Sequence, residues 1–181
     1  MGMVPDLKLT CRDALTEAAS EVAATVLGGM PFAVVAGANA ETASEPAPAH
    51  GAYVGLVARE EPIQVGLLAE PAGCQLLAKA LLGMDAADED LPSSDVSDAM
   101  CEIINIVAGG LKRRVAGSLS VTLGLPIFVA GPPLPNQQQE IVAQELQLGS
   151  VAVRLLILTQ KEHSAPLSRS AAQTRAVEER S

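Results

Sequence analysis

One apolar periodicity, within residues 94–115, constrains the fold of this chain more than any other feature of its sequence. Apolar side chains recur there in steps of three and four residues, at Val96, Met100, Ile103, Ile104, Val107, Leu111 and Val115. This spacing places them on one face of an α-helix and does not fit the alternation of a strand. We expect Ser94 or Asp95 to cap this helix, and Lys112, Arg113 and Arg114 to lie at the negative end of its dipole.

The opposite face of this predicted helix is polar. It carries Asp98, Glu102, Asn105, Gly109 and Lys112. Residues three and four positions apart share a helix face, so the carboxylate of Glu102 and the amide of Asn105 point the same way. A partner that docks on this face would meet both groups at once.

The composition argues against several classes of function. The 181 residues carry a formal net charge of -9 and only 12 basic residues, whereas nucleic-acid binding needs a contiguous basic face. Two histidines and three widely spaced cysteines predict neither a metal cluster nor a histidine-based triad. No apolar run approaches the roughly 20 residues of a membrane helix, and the first residues lack the layout of a signal peptide. We therefore expect a cytoplasmic protein that binds neither nucleic acid nor membrane.

The same reasoning along the chain predicts one domain, residues 10–159, between an N-terminal extension (1–9) and a polar, disordered tail (160–181). Helices are predicted at residues 10–27, 70–84 and 94–115, and strands at 30–37, 51–59, 62–69, 118–130, 140–148 and 151–159. Gly149-Ser150 fits a two-residue hairpin turn. Residues 38–50 and 131–139 are predicted loops, and the acidic run 85–90 is predicted to be a solvated connector.

An internal repeat organises these elements. A helix, a strand led by proline and a hairpin occur in this order at residues 10–69 and again at 94–159, joined by the helix 70–84 and the acidic loop 85–93. We predict an α+β domain in which two α-β-β-β pseudo-repeats form one continuous sheet about a pseudo-twofold axis, with the helices packed on it. Glu17 and Ser20 of the first repeat match Glu102 and Asn105 of the second. Only the second repeat has the amide, and Glu17 is predicted to be an ordinary solvated acid.

The segment 98–109, with Pro126 after the helix, resembles the CheC, CheX and FliY family of chemotaxis phosphatases. Within this family the chain is most similar to CheX, in its length and in having a single complete motif. The resemblance covers residues 9–159. It implies an enzyme that hydrolyses the aspartyl phosphate of a phosphorylated CheY-like receiver domain. Glu102 would pair with a lysine of the receiver, and Asn105 would position the attacking water. Mg²⁺ is expected on the receiver, and this chain is expected to bind no cofactor of its own.

Because Asp98, Gly109 and Lys112 share the polar helix face with Glu102, these residues are also predicted to bind the partner. The resemblance further implies that the protein can form a homodimer, since CheX-type members can dimerise by exchanging strands. Two other functions remain open at this stage. The first is a non-catalytic adaptor of the same fold that binds a signalling or flagellar-switch partner. The second is a structural homodimer in which the face of Glu102 and Asn105 is buried against another subunit.

Overall fold

The computed structural model describes residues 7–35, 50–58, 61–116, 120–131 and 139–160, apart from the side chains of residues 7–9 and 139. In chain order the elements are α1 (Leu7–Thr25), β1 (Phe32–Val34), β2 (His50–Ala58), β3 (Glu61–Ala69), α2 (Pro71–Leu81), α3 (Ser93–Val115), β4 (Val121–Ala130), β5 (Gln139–Leu148) and β6 (Val151–Gln160). A helix followed by three strands therefore occurs twice, with α2 between the two units, as predicted.

The six strands form one sheet in the order β1-β5-β6-β3-β2-β4, and every described strand pair is antiparallel. Strands β1, β2 and β3 of the first repeat correspond to β4, β5 and β6 of the second. If each strand is swapped with its counterpart, the result is the same order read from the other edge of the sheet. The central pair β3·β6 places Gly66 opposite Leu156, which is also its counterpart when the two hairpins are aligned. The first strand of each repeat pairs with the other repeat, β1 with β5 and β4 with β2. The sheet thus has the predicted pseudo-twofold arrangement and interlocks the repeats.

The main core lies between the sheet and the helices. Alternate residues of β2 (Ala52, Val54, Leu56 and Ala58) belong to it, together with the seven apolar residues predicted to form the buried face of α3, all of which are buried. On the other side of the sheet, Tyr53, Leu68, Leu156 and Leu158 form a smaller cluster that includes no described helix residue. The helices therefore cover one face of the sheet.

The ends of several elements differ from the sequence-based prediction. Pro92, rather than Ser94 or Asp95, precedes the first helical residue of α3, and no side chain caps that end. Ser94 and Asp95 already lie inside the first turn, where their side chains bond each other at 3.0 Å. α2 ends at Leu81 rather than at residue 84, because Gly83 takes a positive φ of 69° and stops the helix.

The predicted strand 30–37 is shorter in the structure, where β1 spans Phe32–Val34, and residues 36 and 37 lie outside the described residues. At the other boundaries the differences are smaller. α1 begins at Leu7, three residues before the predicted helix and domain boundary, and β6 includes Gln160, which was assigned to the tail. β2 begins at His50, which was assigned to the preceding loop; its ring packs edge-on against Phe128 at a centroid distance of 6.1 Å. The remaining loop 38–49, residues 132–138 and the tail 161–181 lie outside the described residues.

The acidic run 85–90 is organised by a buried lysine and is not a free connector. Lys79 of α2 is buried, and its Nζ donates hydrogen bonds to the carbonyl oxygens of Ala86 (3.3 Å) and Asp88 (2.7 Å) and to a carboxylate oxygen of Asp90 (3.1 Å). The acidic residues are exposed, as predicted, but the hydrogen bonds that organise the run were not predicted.

Candidate functional site

α3 presents one polar face to solvent. Asp98, Glu102 and Lys112 are exposed, and Asn105 and Gly109 are partly buried. Their orientation follows from the opposite face of the helix, which is buried against α1 and the sheet. All five residues proposed from the sequence therefore lie on the same accessible face.

Glu102 and Asn105 are one turn apart, separated by about 4.5 Å along the helix axis. Within the described part of the chain, neither side chain has a hydrogen bond or an ion pair. A carboxylate accepts hydrogen bonds from a cationic group, whereas an amide both donates and accepts. The pair is therefore free to hold a basic side chain of a partner at one position and a polar group or a water molecule at the other.

The three cysteines are poorly suited to nucleophilic chemistry. Burial raises the pKa of the Cys11 and Cys74 thiols to about 11. Burial, and to a smaller degree the carboxylate of Asp98, also raises the pKa of the Cys101 thiol. All three are free thiols, and a raised pKa keeps them protonated near neutral pH, whereas the thiolate is the nucleophile.

The first repeat contains a related helix face on α1. Seven buried residues of α1 (Cys11, Ala14, Leu15, Ala18, Ala19, Val22 and Ala23) each have a buried counterpart 85 positions later in α3. The same shift superimposes Asp13 on Asp98, Glu17 on Glu102 and Ser20 on Asn105, and each of these pairs has the same degree of exposure. The structural repeat thus extends to the position of every motif residue.

Glu17 is exposed to solvent, as predicted, but it also has an ion pair that was not predicted. The guanidinium of Arg114 approaches it, with Nε 3.4 Å from its Oε2, and also donates a hydrogen bond of 2.7 Å to Oε2 of Glu21. Arg113 lies 3.8 Å from the other oxygen of Glu21. Sequence reasoning missed these ion pairs because the partners are more than 90 positions apart.

The described residues offer neither a metal-binding cluster nor a membrane-spanning helix. They contain no group of three or more histidine, cysteine or acidic side chains arranged to hold a metal ion. They also contain no helix with both the length and the apolarity needed to cross a membrane.

Comparison with known proteins identifies the family. A family model described as chemotaxis phosphatase CheX matches residues 51–146, a span that includes the whole of α3. Because this match covers more than half of the chain, the protein belongs to the CheX family. No curated protein matches the chain.

Solved structures share the fold at low sequence identity. The chemotaxis protein CheX from Vibrio vulnificus is 16% identical, with a TM-score of 0.67 over 81% of this chain and 97% of its own. CheX from Borrelia burgdorferi, solved in a CheX-CheY-BeF3-Mg²⁺ complex, is 16% identical, with a TM-score of 0.59 over 83% of this chain and 97% of that chain. FliY from Thermotoga maritima is 11% identical, with a TM-score of 0.55 over 88% of this chain and 92% of that chain.

Proposed function

We propose that this protein is a CheX-type phosphatase that hydrolyses the aspartyl phosphate of a CheY-like receiver domain in the cytoplasm, with α3 as its docking face. The observation that supports the proposal is the couple of exposed Glu102 and partly buried Asn105, which have no side-chain partner among the described residues and lie on a helix matched by the CheX family model. The complex of Borrelia burgdorferi CheX with CheY supports a partner of this kind.

Hydrolysis of an aspartyl phosphate requires little of the phosphatase itself. An acyl phosphate is already an activated group, and the receiver would contribute its own Mg²⁺, so the phosphatase has to hold a water molecule in line with the bond that breaks. Asn105 suits this task because a neutral amide binds water without placing a second negative charge beside the phosphoryl group.

Glu102 has a separate role in docking. One turn from Asn105, its carboxylate pairs with a lysine of the receiver and thereby fixes the orientation of the complex. Asp98, Gly109 and Lys112 complete the surface on either side. The proposed reaction uses no cofactor bound by this chain.

The proposal is tested by phosphate release from a receiver domain charged with acetyl phosphate. We expect the wild-type protein to accelerate release and Asn105→Ala to lose about 10²-fold of that acceleration, because the water is no longer positioned. Ser20→Ala alters the corresponding position of α1 and is the matched control, expected to keep the wild-type rate. Circular dichroism verifies that both variants are folded.

The competing function is a non-catalytic adaptor. An adaptor would bind the receiver without accelerating phosphate release, and Asn105→Ala would then change nothing in this assay. That result would overturn the proposed phosphatase.

We further propose that two copies of the chain pair along β4. This strand lies at an edge of the sheet, and its side chains Leu125 and Ile127 are 88% and 54% exposed. An edge strand offers unpaired backbone groups to a second strand, and pairing here would also cover apolar surface.

Sedimentation equilibrium tests this dimer. We expect wild-type protein to sediment as a dimer and Leu125→Glu as a monomer, because the new charge would be buried in the interface. Val35→Glu, at an exposed apolar residue next to the opposite edge strand β1, is the matched control and should stay dimeric. A monomeric wild type, or a Leu125→Glu variant that remains a dimer, would contradict pairing along β4.

A further inference from the structure

The side chain of Arg114, in the last turn of α3, extends over α1 and contacts it at several atoms. Besides its contacts with Glu17 and Glu21, its guanidinium donates hydrogen bonds to the carbonyl oxygens of Gly110 (3.3 Å) and Glu17 (3.5 Å). Its side chain is only 26% exposed, whereas that of Glu17 is 72% exposed. The acids of this face are thus already engaged by a cation from the same chain, while Glu102 is not.

The asymmetry originates where the two helices end. The shift of 85 positions that aligns the repeats places Gly28 and Gly29 at the positions of Arg113 and Arg114. Both glycines have positive φ, 67° and 78°, and they follow the end of α1, whereas α3 continues for another turn and carries the arginines. The first repeat therefore offers no equivalent guanidinium to Glu102.

We propose that Arg114 determines which of the two related helix faces accepts the receiver: by holding Glu17 and Glu21 it closes the face of α1 and leaves α3 as the docking face. This inference rests on the proposed phosphatase function. A receiver lysine approaching α1 would have to displace a guanidinium that is hydrogen-bonded to the carboxylate of Glu21 and ion-paired with that of Glu17. It would also meet the positive charge of Arg113.

Docking and chemistry are disabled separately on α1. Arg114 blocks the carboxylate needed for docking, and Ser20 provides a short hydroxyl where α3 provides the longer amide of Asn105. Removing the arginine should therefore restore binding without turnover. Turnover should require Ser20→Asn in addition.

The experiment uses a background in which α3 is disabled by Glu102→Ala and Asn105→Ala, and it measures binding of a CheY-like receiver activated with BeF3. In this background we expect binding to become undetectable or weak. Adding Arg114→Gln should tighten it at least about tenfold, because Glu17 is released. Adding Glu17→Ala as well should remove that gain, and adding Ser20→Asn should restore phosphate release.

Two controls separate the effect of position from that of charge. Arg114→Lys keeps the cation and should leave α1 closed. Arg154→Gln removes the same charge from a strand, where the arginine pairs with Glu145, and should not tighten binding. Urea unfolding verifies that each variant is folded.

The outcomes distinguish the inference from the proposed function. Equal receiver affinity with and without Arg114→Gln in the disabled background overturns the role of Arg114. A wild-type protein that binds the receiver without accelerating phosphate release overturns the phosphatase and leaves the binding test valid. A wild-type protein that binds no receiver overturns both.

Discussion

Two adjacent glycines of α3 lie in opposite environments. A Cβ atom at Gly110 would lie 2.7 Å from the Cβ of Ala18, whereas a Cβ at Gly109 would have its nearest neighbour, the end of the Arg113 side chain, 4.0 Å away. Gly110 is therefore needed for the close packing of α1 on α3. Gly109 lies on the open polar face, where the sequence places it in the docking surface.

This contrast predicts stability changes of opposite sign. Gly110→Ala should destabilise the protein, because overpacking costs about 1–3 kcal/mol and exceeds the gain in helix propensity. Gly109→Ala should stabilise it by about 0.5–1 kcal/mol, because alanine loses less backbone entropy than glycine in a helix. Urea unfolding of the two variants beside wild type measures both changes. Equal effects of the two substitutions would contradict the packing of α1 on Gly110.

The carboxyl group of Glu21 should report directly on Arg114. The hydrogen bond and charge of Arg114, with a smaller contribution from Arg113, hold the pKa of Glu21 below its ordinary value of 4.5. Since the folded-state pKa is lowered, the ion pair stabilises the protein above pH 4.5, and this contribution is lost as the pH falls through the lowered value.

Removing the arginine should therefore move this titration. Arg114→Gln is expected to raise the pKa of Glu21 toward 4.5 and to flatten the acid limb of the stability profile. Carbon-detected NMR of the Glu21 carboxyl group follows the titration in both proteins. The same pKa in wild type and variant would show that Arg114 does not hold this acid in solution.

Side-chain environments set by neighbours in the sequence could be predicted, whereas those set by residues far away along the chain could not. The buried and exposed faces of α3 follow from its own periodicity, and all five proposed site residues lie on the predicted face. The ion pairs of Arg114 do not follow from it, because they depend on how α1 packs beside α3. The alignment of Gly28-Gly29 with Arg113-Arg114, which reveals this asymmetry, follows from the matching buried positions of α1 and α3 in the structure.

Hydrogen bonds from side chains of α2 hold the segment that connects α2 to α3. Lys79 binds the backbone of the acidic run, and the side-chain amide of Gln75 both donates to the carbonyl oxygen of Leu91 (2.8 Å) and accepts from its N–H (3.1 Å). Two side chains of α2 thus fix the chain just before α3 begins.

Lys79→Met should loosen this connection. The apolar stem of the side chain is kept, but the hydrogen bonds to Ala86, Asp88 and Asp90 are lost, so the free energy of unfolding should fall by about 1–3 kcal/mol. Hydrogen exchange should become faster in residues 85–91, while the β5–β6 hairpin serves as the internal control. Unchanged exchange in residues 85–91 would contradict the role of Lys79.

Local signals predicted most elements well. The turn at Gly149-Ser150 joins β5 and β6 as expected, with Gly149 at a positive φ of 57°. Pro126 is accommodated because β4 lies at an edge of the sheet. The support from Lys79 was not predicted, since a run of acids indicates exposure without indicating what its backbone binds.

For the whole molecule, the repeat in the sequence predicted a continuous sheet with pseudo-twofold symmetry, but it did not predict the strand order. That order depends on β1 and β4 each pairing with the opposite repeat. These pairings join distant segments, and no turn or periodicity in the sequence encodes them. The same symmetry places the related faces of α1 and α3 side by side. The two faces differ in single residues at equivalent positions, with Ser20 in place of Asn105 and Gly29 in place of Arg114.

In the proposed mechanism Asn105 acts in the chemical step and does not merely help the receiver to dock. Measuring the rate of phosphate release and the receiver Kd side by side for wild type and Asn105→Ala separates these two roles. The proposed mechanism predicts a rate lower by about 10²-fold or more, with a Kd that changes by less than about threefold. An unchanged rate, or a loss of rate fully accounted for by weaker binding, would contradict it.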